Sequence, residues 1–193
     1  MGLNILLLGP QGAGKGTQGR LISSEYGIPH IATGDILRSA IAAGTPLGRD
    51  VKPIYDAGRL VPDEIMIELI RDRLAEDDTR EGFVLDGFPR TLGQAEALDA
   101  MLAEIERPLT VVFEFQLPEE VAVERLLRRA KQEGRVDDTP EAIRTRLQLY
   151  RELTEPLIEH YRARGNLVGI HADRPVEEVF AEIQQALDRV AVR

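Results

Sequence analysis

The chain has 193 residues, 43% of them hydrophobic and 30% charged, which suits one well-packed soluble domain with small excursions. A net charge of −9 argues against general binding to nucleic acid or an anionic membrane, and no apolar run reaches membrane-spanning length. The absence of cysteine excludes disulfides, thiolate nucleophiles and Cys-based zinc sites.

Residues 3–8 are apolar, too short for a signal peptide, and read as a buried first strand, so a cytoplasmic protein is expected. Gly9 to Thr17 follows, Gly-Pro-Gln-Gly-Ala-Gly-Lys-Gly-Thr, and a helix is expected from Gly14 to Tyr26. Glycines between a strand and a helix let the backbone turn with its N–H groups facing inward. The helix start adds partial positive charge and Lys15 a full one, so the stretch reads as a phosphate cradle. The strict pattern places Ser or Thr directly after the lysine; here Gly16 intervenes before Thr17.

A short strand, His30 to Ala32, leads into Thr33-Gly34-Asp35 and a helix through Ala43. Pro46 and Gly48 are expected to interrupt, with a second helix carrying Val51, Ile54 and Tyr55 to Gly58. Pro62-Asp63-Glu64 is a helix start, with Ile65, Leu69, Ile70 and Leu74 as its apolar stripe. Phe83-Val84-Leu85 is a buried strand ending at Asp86, a position suited to a magnesium-site carboxylate beside a phosphate cradle. Residues 91–105 read as helix, 110–115 as strand, and Pro118 opens a helix to about Lys131. Gln132 to Asp138 is polar and reads as an exposed loop. One long helix is expected from Pro140 to Arg164, bent near Pro156, then a last strand from Leu167 to His171 and a helix opened by Pro175.

Strands alternating with helices imply a parallel sheet covered on both faces, with ligands at the carboxyl ends of the strands. Lysine occurs only at 15, 52 and 131, so 21 of the 24 basic residues are Arg, whose planar fork suits phosphate oxygens. The three histidines, His30, His160 and His171, are scattered and are expected at surfaces or edges.

The ordered set Gly9–Gln18, Thr33–Arg38, Leu60–Asp63, Asp86–Gln94 and Gly134–Asp138 resembles the adenylate kinase family of nucleoside monophosphate kinases across essentially the whole chain. Gly16-Thr17 is that family's usual form. The resemblance implies an α/β, P-loop nucleoside triphosphate hydrolase-like three-layer sandwich with a five-stranded parallel sheet. It also implies one domain over 1–193, a small helical AMP-binding insertion at 32–61 and a short lid at 129–138. Residues 130–134, Ala-Lys-Gln-Glu-Gly, are too few for a larger lid and hold no zinc ligands, so no structural zinc is expected.

Carried over by position, Gly12, Ala13, Gly14, Lys15, Gly16 and Thr17 would hold ATP, with Arg129 and the 172–174 loop including Arg174. AMP would meet Thr33, Arg38, Arg59, Leu60, Val61, Gly87, Phe88, Pro89, Arg90, Gln94, Arg135 and Arg146. Lys15, Arg90, Arg129, Arg135 and Arg146 would act in catalysis, Asp137 and Asp138 would hold the lid through arginine, and Asp86 would hold Mg²⁺ through water. The implied reaction is ATP + AMP = 2 ADP in a monomer without a nucleic-acid or membrane partner. Thr33 and Gln94 favour adenine over the acceptors of the related UMP/CMP kinases. A nucleotide sensor without turnover would not need cations on both sides of a transferring group. Without the resemblance, Arg125, Arg128 and Arg129 read as an ordinary charged helix face.

Overall fold

A computed structural model of the chain describes residues 2–134 and 138–191. Five parallel strands form one sheet: β1 (Leu3–Leu8), β2 (His30–Ala32), β3 (Gly82–Asp86), β4 (Val111–Gln116) and β5 (Leu167–His171), in the spatial order β2-β3-β1-β4-β5. Alternate residues of each strand point to opposite faces, and both faces are covered, which is why the strands read as unbroken apolar runs. Leu6, Leu8, Phe83, Leu85 and Val112 share one core; Ile5, Leu7, Val84, Val111 and Phe113 share the other.

The first core is closed by α4 (Asp63–Leu74), α5 (Leu92–Glu104) and α8 (Leu157–Arg162), through Ile70, Leu98, Leu157 and Tyr161. The second is closed by α1 (Lys15–Tyr26) and α9 (Val176–Ala191), through Ile22, Val179, Ile183 and Leu187. Each fully buried aliphatic chain of this kind contributes about 1.5–3 kcal/mol. The two remaining helix pairs sit above the carboxyl ends of the strands. Of these, α2 (Thr33–Ala42) and α3 (Pro46–Asp56) join the first core through Leu37 and Val51. The others, α6 (Glu119–Glu133) and α7 (Pro140–Leu149), make a small core of Ala122, Leu126, Ile143 and Leu147.

Three expectations need correction. The break between two helices is present, but it falls at 43–45; Pro46 and Gly48 belong to the helix that follows it. Thr45 caps α3 by accepting from the Gly48 N–H at 3.0 Å, Pro46 takes a first-turn position that needs no donor, and α3 starts there. Gly48 is buried because α2 runs against it: a Cβ there would stand 2.0 Å from the Ala40 carbonyl oxygen. The long helix from 140 to 164 is also divided. After α7 comes a π turn over Tyr150–Thr154, closed by the Glu155 N–H on the Tyr150 carbonyl at 2.8 Å, and α8 resumes past Pro156. Pro156 has no N–H to continue the regular ladder, and the wider turn absorbs the loss. Finally, Asp138 is not exposed. Helix α6 continues to Glu133, ends on Gly134 in the left-handed conformation, and the Asp138 side chain is fully buried.

Gly48→Ala is expected to lower stability. Alanine in a helix interior gains about 1 kcal/mol over glycine, but overpacking against fixed backbone costs about 1–3 kcal/mol, and a 2.0 Å approach to a carbonyl cannot relax by side-chain rotation. A urea midpoint unchanged or raised in this variant would contradict the close α2–α3 packing.

Candidate active site

The sheet order places β1 at the centre with β3 beside it, and the register sets Leu7 opposite Asp86, with Ala32 on the other side of Asp86. The phosphate-type loop after β1, the acid ending β3 and the start of α2 after β2 therefore emerge side by side. Above them opens a cleft of about 310 Å³.

The loop itself is shaped by three glycines with positive φ, Gly9, Gly12 and Gly14. At Gly12, where φ is 86°, a Cβ would lie 2.8 Å from the Ala122 carbonyl of α6; Gly14, also at 86°, is the residue that turns the chain into α1. Gly12, Gly14, Gly16, Lys15 and Thr17 line the cleft, whereas Ala13 faces inward and is buried in the second core. The Lys15 ammonium donates to the carbonyls of Gly9 at 2.7 Å and Pro10 at 2.9 Å, so the lysine curls over its own loop. Burial lowers it to about 8; Arg90 and Arg129 push the same way and Asp86 opposes them.

Asp86 lines the same cleft with its side chain 14% exposed. Burial by itself would raise its carboxyl, but the approach of His30 Nε2 at 3.6 Å and the charges of Lys15 and Arg90 outweigh it, holding the group below the usual carboxylate range. Gly16 brings backbone close to the same carboxylate, for a Cβ there would lie 3.7 Å from Asp86 Oδ2. One ionised carboxylate beside a phosphate cradle, with the Thr17 hydroxyl on the same wall, fits a hard cation that keeps most of its waters and takes other oxygens from phosphate. Among the described residues, no group of three or more His, Cys, Asp or Glu side chains could hold a metal ion.

Arg90, Gly87 and Pro89, from the segment after β3, form the adjoining wall, and Arg90 Nε donates to the Gly87 carbonyl at 2.8 Å. Burial and the neighbouring Arg146 lower the guanidinium's proton affinity. The π turn serves this wall: Thr154 Oγ1 donates to the Arg90 carbonyl at 2.8 Å, and Tyr150 lines the cleft beside it. Across the opening, Arg129 of α6 grips Asp138 with two parallel bonds of 2.7 and 2.8 Å, and Arg146 of α7 donates to the same carboxylate at 2.8 Å. A single buried acid thus holds two like-charged guanidiniums side by side.

From the α2–α3 side, Arg38 pairs with Asp35 and donates to the Tyr55 hydroxyl at 2.6 Å, while the Tyr55 ring lies 5.6 Å under the Arg146 guanidinium. Arg59 also faces the cleft, exposed. Thr33, Val61, Phe88 and Gln94 are buried behind this wall, and Leu60 is half-buried; none of the five lines the opening. The Thr33 side chain lies close to Gly87, where a Cβ would stand 2.5 Å from its hydroxyl oxygen, and that hydroxyl donates to the Asp86 carbonyl at 3.3 Å. Arg174 lies outside the cleft, its guanidinium on Glu182 of α9 and the His171 carbonyl. The expected roles of Arg135 and Asp137 fall outside the described residues.

Several cleft residues carried no sequence signal of their own. Arg125 reads from the sequence as a charged face, yet it lines the cleft and donates to the Ala172 carbonyl at 3.1 Å; Arg128, one turn away, is exposed and paired with Glu124. Tyr55 and Tyr150 are half-buried residues whose helical spacing suits a core. His30, expected at a surface or edge, stands half-buried on the edge strand, its side chain 9% exposed; His171 is exposed as expected.

Comparison with known proteins agrees with this geometry. The family model described as "Adenylate kinase" matches residues 7–166. A protein named adenylate kinase from Thermobifida fusca is 50% identical over 185 residues, covering 96% of this chain and 98% of its own length. Adenylate kinase from Thermus thermophilus is 50% identical over 187 residues, with 97% and 98% covered. The Cyanothece sp. adenylate kinase is 48% identical over 186 residues, with 96% and 95% covered. A parallel five-stranded sheet, a phosphate-type loop ending its central strand and relatives that match end to end place the chain in the adenylate kinase family of nucleoside monophosphate kinases.

Proposed function

We propose that the chain catalyses reversible transfer of the γ-phosphoryl group of ATP to the α-phosphate of AMP, giving two ADP. The observation that carries this reading is the convergence of Lys15, Arg90, Arg129 and Arg146 on one cleft above the phosphate loop. The nucleophile is an oxygen of AMP that is already anionic, so no general base is required and no histidine needs a role. What remains is in-line positioning and neutralisation of charge spread over the transferring oxygens.

Gly12 to Thr17 cradle the donor phosphates with backbone N–H groups, and Lys15 exchanges its loop carbonyls for phosphate oxygens. Arg38 and Arg90 hold the acceptor phosphate, Arg129, Arg135 and Arg146 span the transfer, and Gln94 reads the acceptor base. Magnesium arriving with ATP would be held by Asp86, through water, and would supply further neutralisation of the donor phosphates. Residues 32–61 close over AMP and 129–138 close over ATP within a single kinase domain, excluding water that would otherwise be phosphorylated. The partners are ATP, AMP and ADP, and the chain works as a cytoplasmic monomer.

Three outcomes test this. With ATP as donor, AMP is expected to outrun CMP and UMP as acceptor in an ADP-release assay. A better pyrimidine acceptor would overturn the adenine assignment, and no phosphorylation of any acceptor would overturn the enzyme. Lys15→Met is expected to lower kcat by about 10²–10³-fold, the range for removing one charge donor from a transition state; retention of full turnover would remove Lys15 from the chemistry. The third follows from the low proton affinity of Lys15. Near pH 8 the free protein carries the ammonium about half-protonated. A bound polyphosphate raises the value, so Lys15 itself takes up about half a proton on binding at pH 8 and almost none at pH 6.5, beyond whatever the phosphates exchange in both proteins. Calorimetry in buffers of different ionisation enthalpy should read this uptake in the wild type and not in Lys15→Met.

A further inference from the structure

Asp63 opens α4, far in sequence from the segment after β3, yet its carboxylate is spent on that segment. Oδ1 accepts from Gln94 Nε2 at 2.8 Å, and Oδ2 accepts from the Thr91 hydroxyl at 2.8 Å. Gln94 is buried, 2% exposed, and its Oε1 accepts the Arg90 N–H at 2.7 Å. Thr91 in turn caps α5, accepting from the Gln94 N–H at 3.2 Å. Capping accounts for the Thr91 oxygen and for the glutamine oxygen on a backbone N–H, as in a capping box. It does not account for a carboxylate on the glutamine nitrogen.

The two ends of a carboxamide are nearly identical in shape, and only the neighbours decide which way it faces. A carboxylate can only accept, so Asp63 admits only the NH₂ end. The Arg90 N–H can only donate, so it admits only the oxygen. Both constraints give the same orientation, and turning the group over would set oxygen against carboxylate and NH₂ against N–H. In the locked orientation each end keeps unused capacity: one N–H on the nitrogen and one lone pair on the oxygen.

We infer that Asp63 is a specificity-determining positioning residue, which locks the Gln94 carboxamide so that it accepts a 6-aminopurine monophosphate and rejects a 6-oxopurine one. This rests on the reading above that Gln94 meets the acceptor base. A 6-aminopurine offers a donor at its amino group and an acceptor at a neighbouring ring nitrogen. A 6-oxopurine offers an acceptor at its oxygen and a donor at N1, the reverse order, which only a turned carboxamide could satisfy. A site whose buried polar groups are left unpaired rejects the wrong partner strongly, whereas one that can turn its amide does not.

Asp63→Asn tests this with little change of shape. An asparagine can present either its oxygen or its NH₂ to Gln94, so the carboxylate's part of the lock is released while the contact survives, and only the Arg90 N–H still opposes a turned amide. Initial rates with AMP and with inosine monophosphate, ATP being the donor, give the ratio of kcat/KM for the two acceptors in the wild type, Asp63→Asn, Asp63→Ala and Gln94→Leu. The ratio is read on whatever fraction is folded, so a merely structural loss lowers both rates and leaves it in place. The inference expects the inosine-to-adenosine ratio to rise by about tenfold or more in Asp63→Asn and Asp63→Ala, with the KM for ATP unmoved. An unchanged ratio in both Asp63 variants, together with a changed ratio in Gln94→Leu, overturns the lock and leaves the base reading standing. An unchanged ratio in Gln94→Leu overturns the base reading and the lock with it.

Discussion

Four cationic side chains brought together on the walls of one cleft are the constraint to which the rest of this structure answers. Lys15, Arg90, Arg129 and Arg146 come from four different segments, and like charges so placed repel. The signs of that repulsion are visible in the groups themselves: burial and cationic neighbours hold Lys15 near 8 and depress Arg90 as well. Among the described residues, Asp138 and Asp86 offset it in different ways. Asp138 is sealed between Arg129 and Arg146 and fixes their spacing, while Asp86 stays at the cleft wall, held in its ionised form. A cleft built this way costs the fold stability, and the cost is one that phosphate oxygens remove.

The architecture supplies the rigidity that such an arrangement demands. A central strand buried on both faces fixes the loop carrying Lys15, and the parallel register delivers Asp86 and Ala32 beside it. The π turn then contributes Thr154 to the Arg90 carbonyl, a contact that a regular helix through 150–154 would have placed elsewhere. Tyr55 links the α2–α3 pair to the opposite wall through Arg38 and Arg146 at once. Parts of the molecule that differ most in sequence position are therefore joined through the cleft.

Much of this was legible in the sequence because the signals were local. Short apolar runs of three to six residues gave the strands, and the glycines before Lys15 and the acid after Leu85 gave the strand ends where chemistry gathers. Other features depended on tertiary contact and left no such mark. Gly48 looks like a breaker until α2 is packed on it, and Asp138 looks like a loop acid until two arginines close on it. Arg125 has the spacing of a solvated face, and only the fold turns it inward. Gln94 carried a signal for base recognition, but its partner Asp63 lies 31 positions away and read only as a helix start at the end of the Leu60–Asp63 motif, with no link to Gln94.

The central claim is that these cations are kept against the interest of the fold. Arg90 gives the most direct test, because its guanidinium is depressed by burial and by Arg146, and Met has a similar length without the charge. Urea unfolding and turnover should be measured on the same Arg90→Met protein. The account expects stability equal to the wild type or higher, because the burial and the Arg146 repulsion that Met relieves outweigh the lost bond to the Gly87 carbonyl and the attraction of Asp86, together with near-complete loss of turnover. Stability that falls in step with activity would show that Arg90 holds the fold together, and would contradict the account.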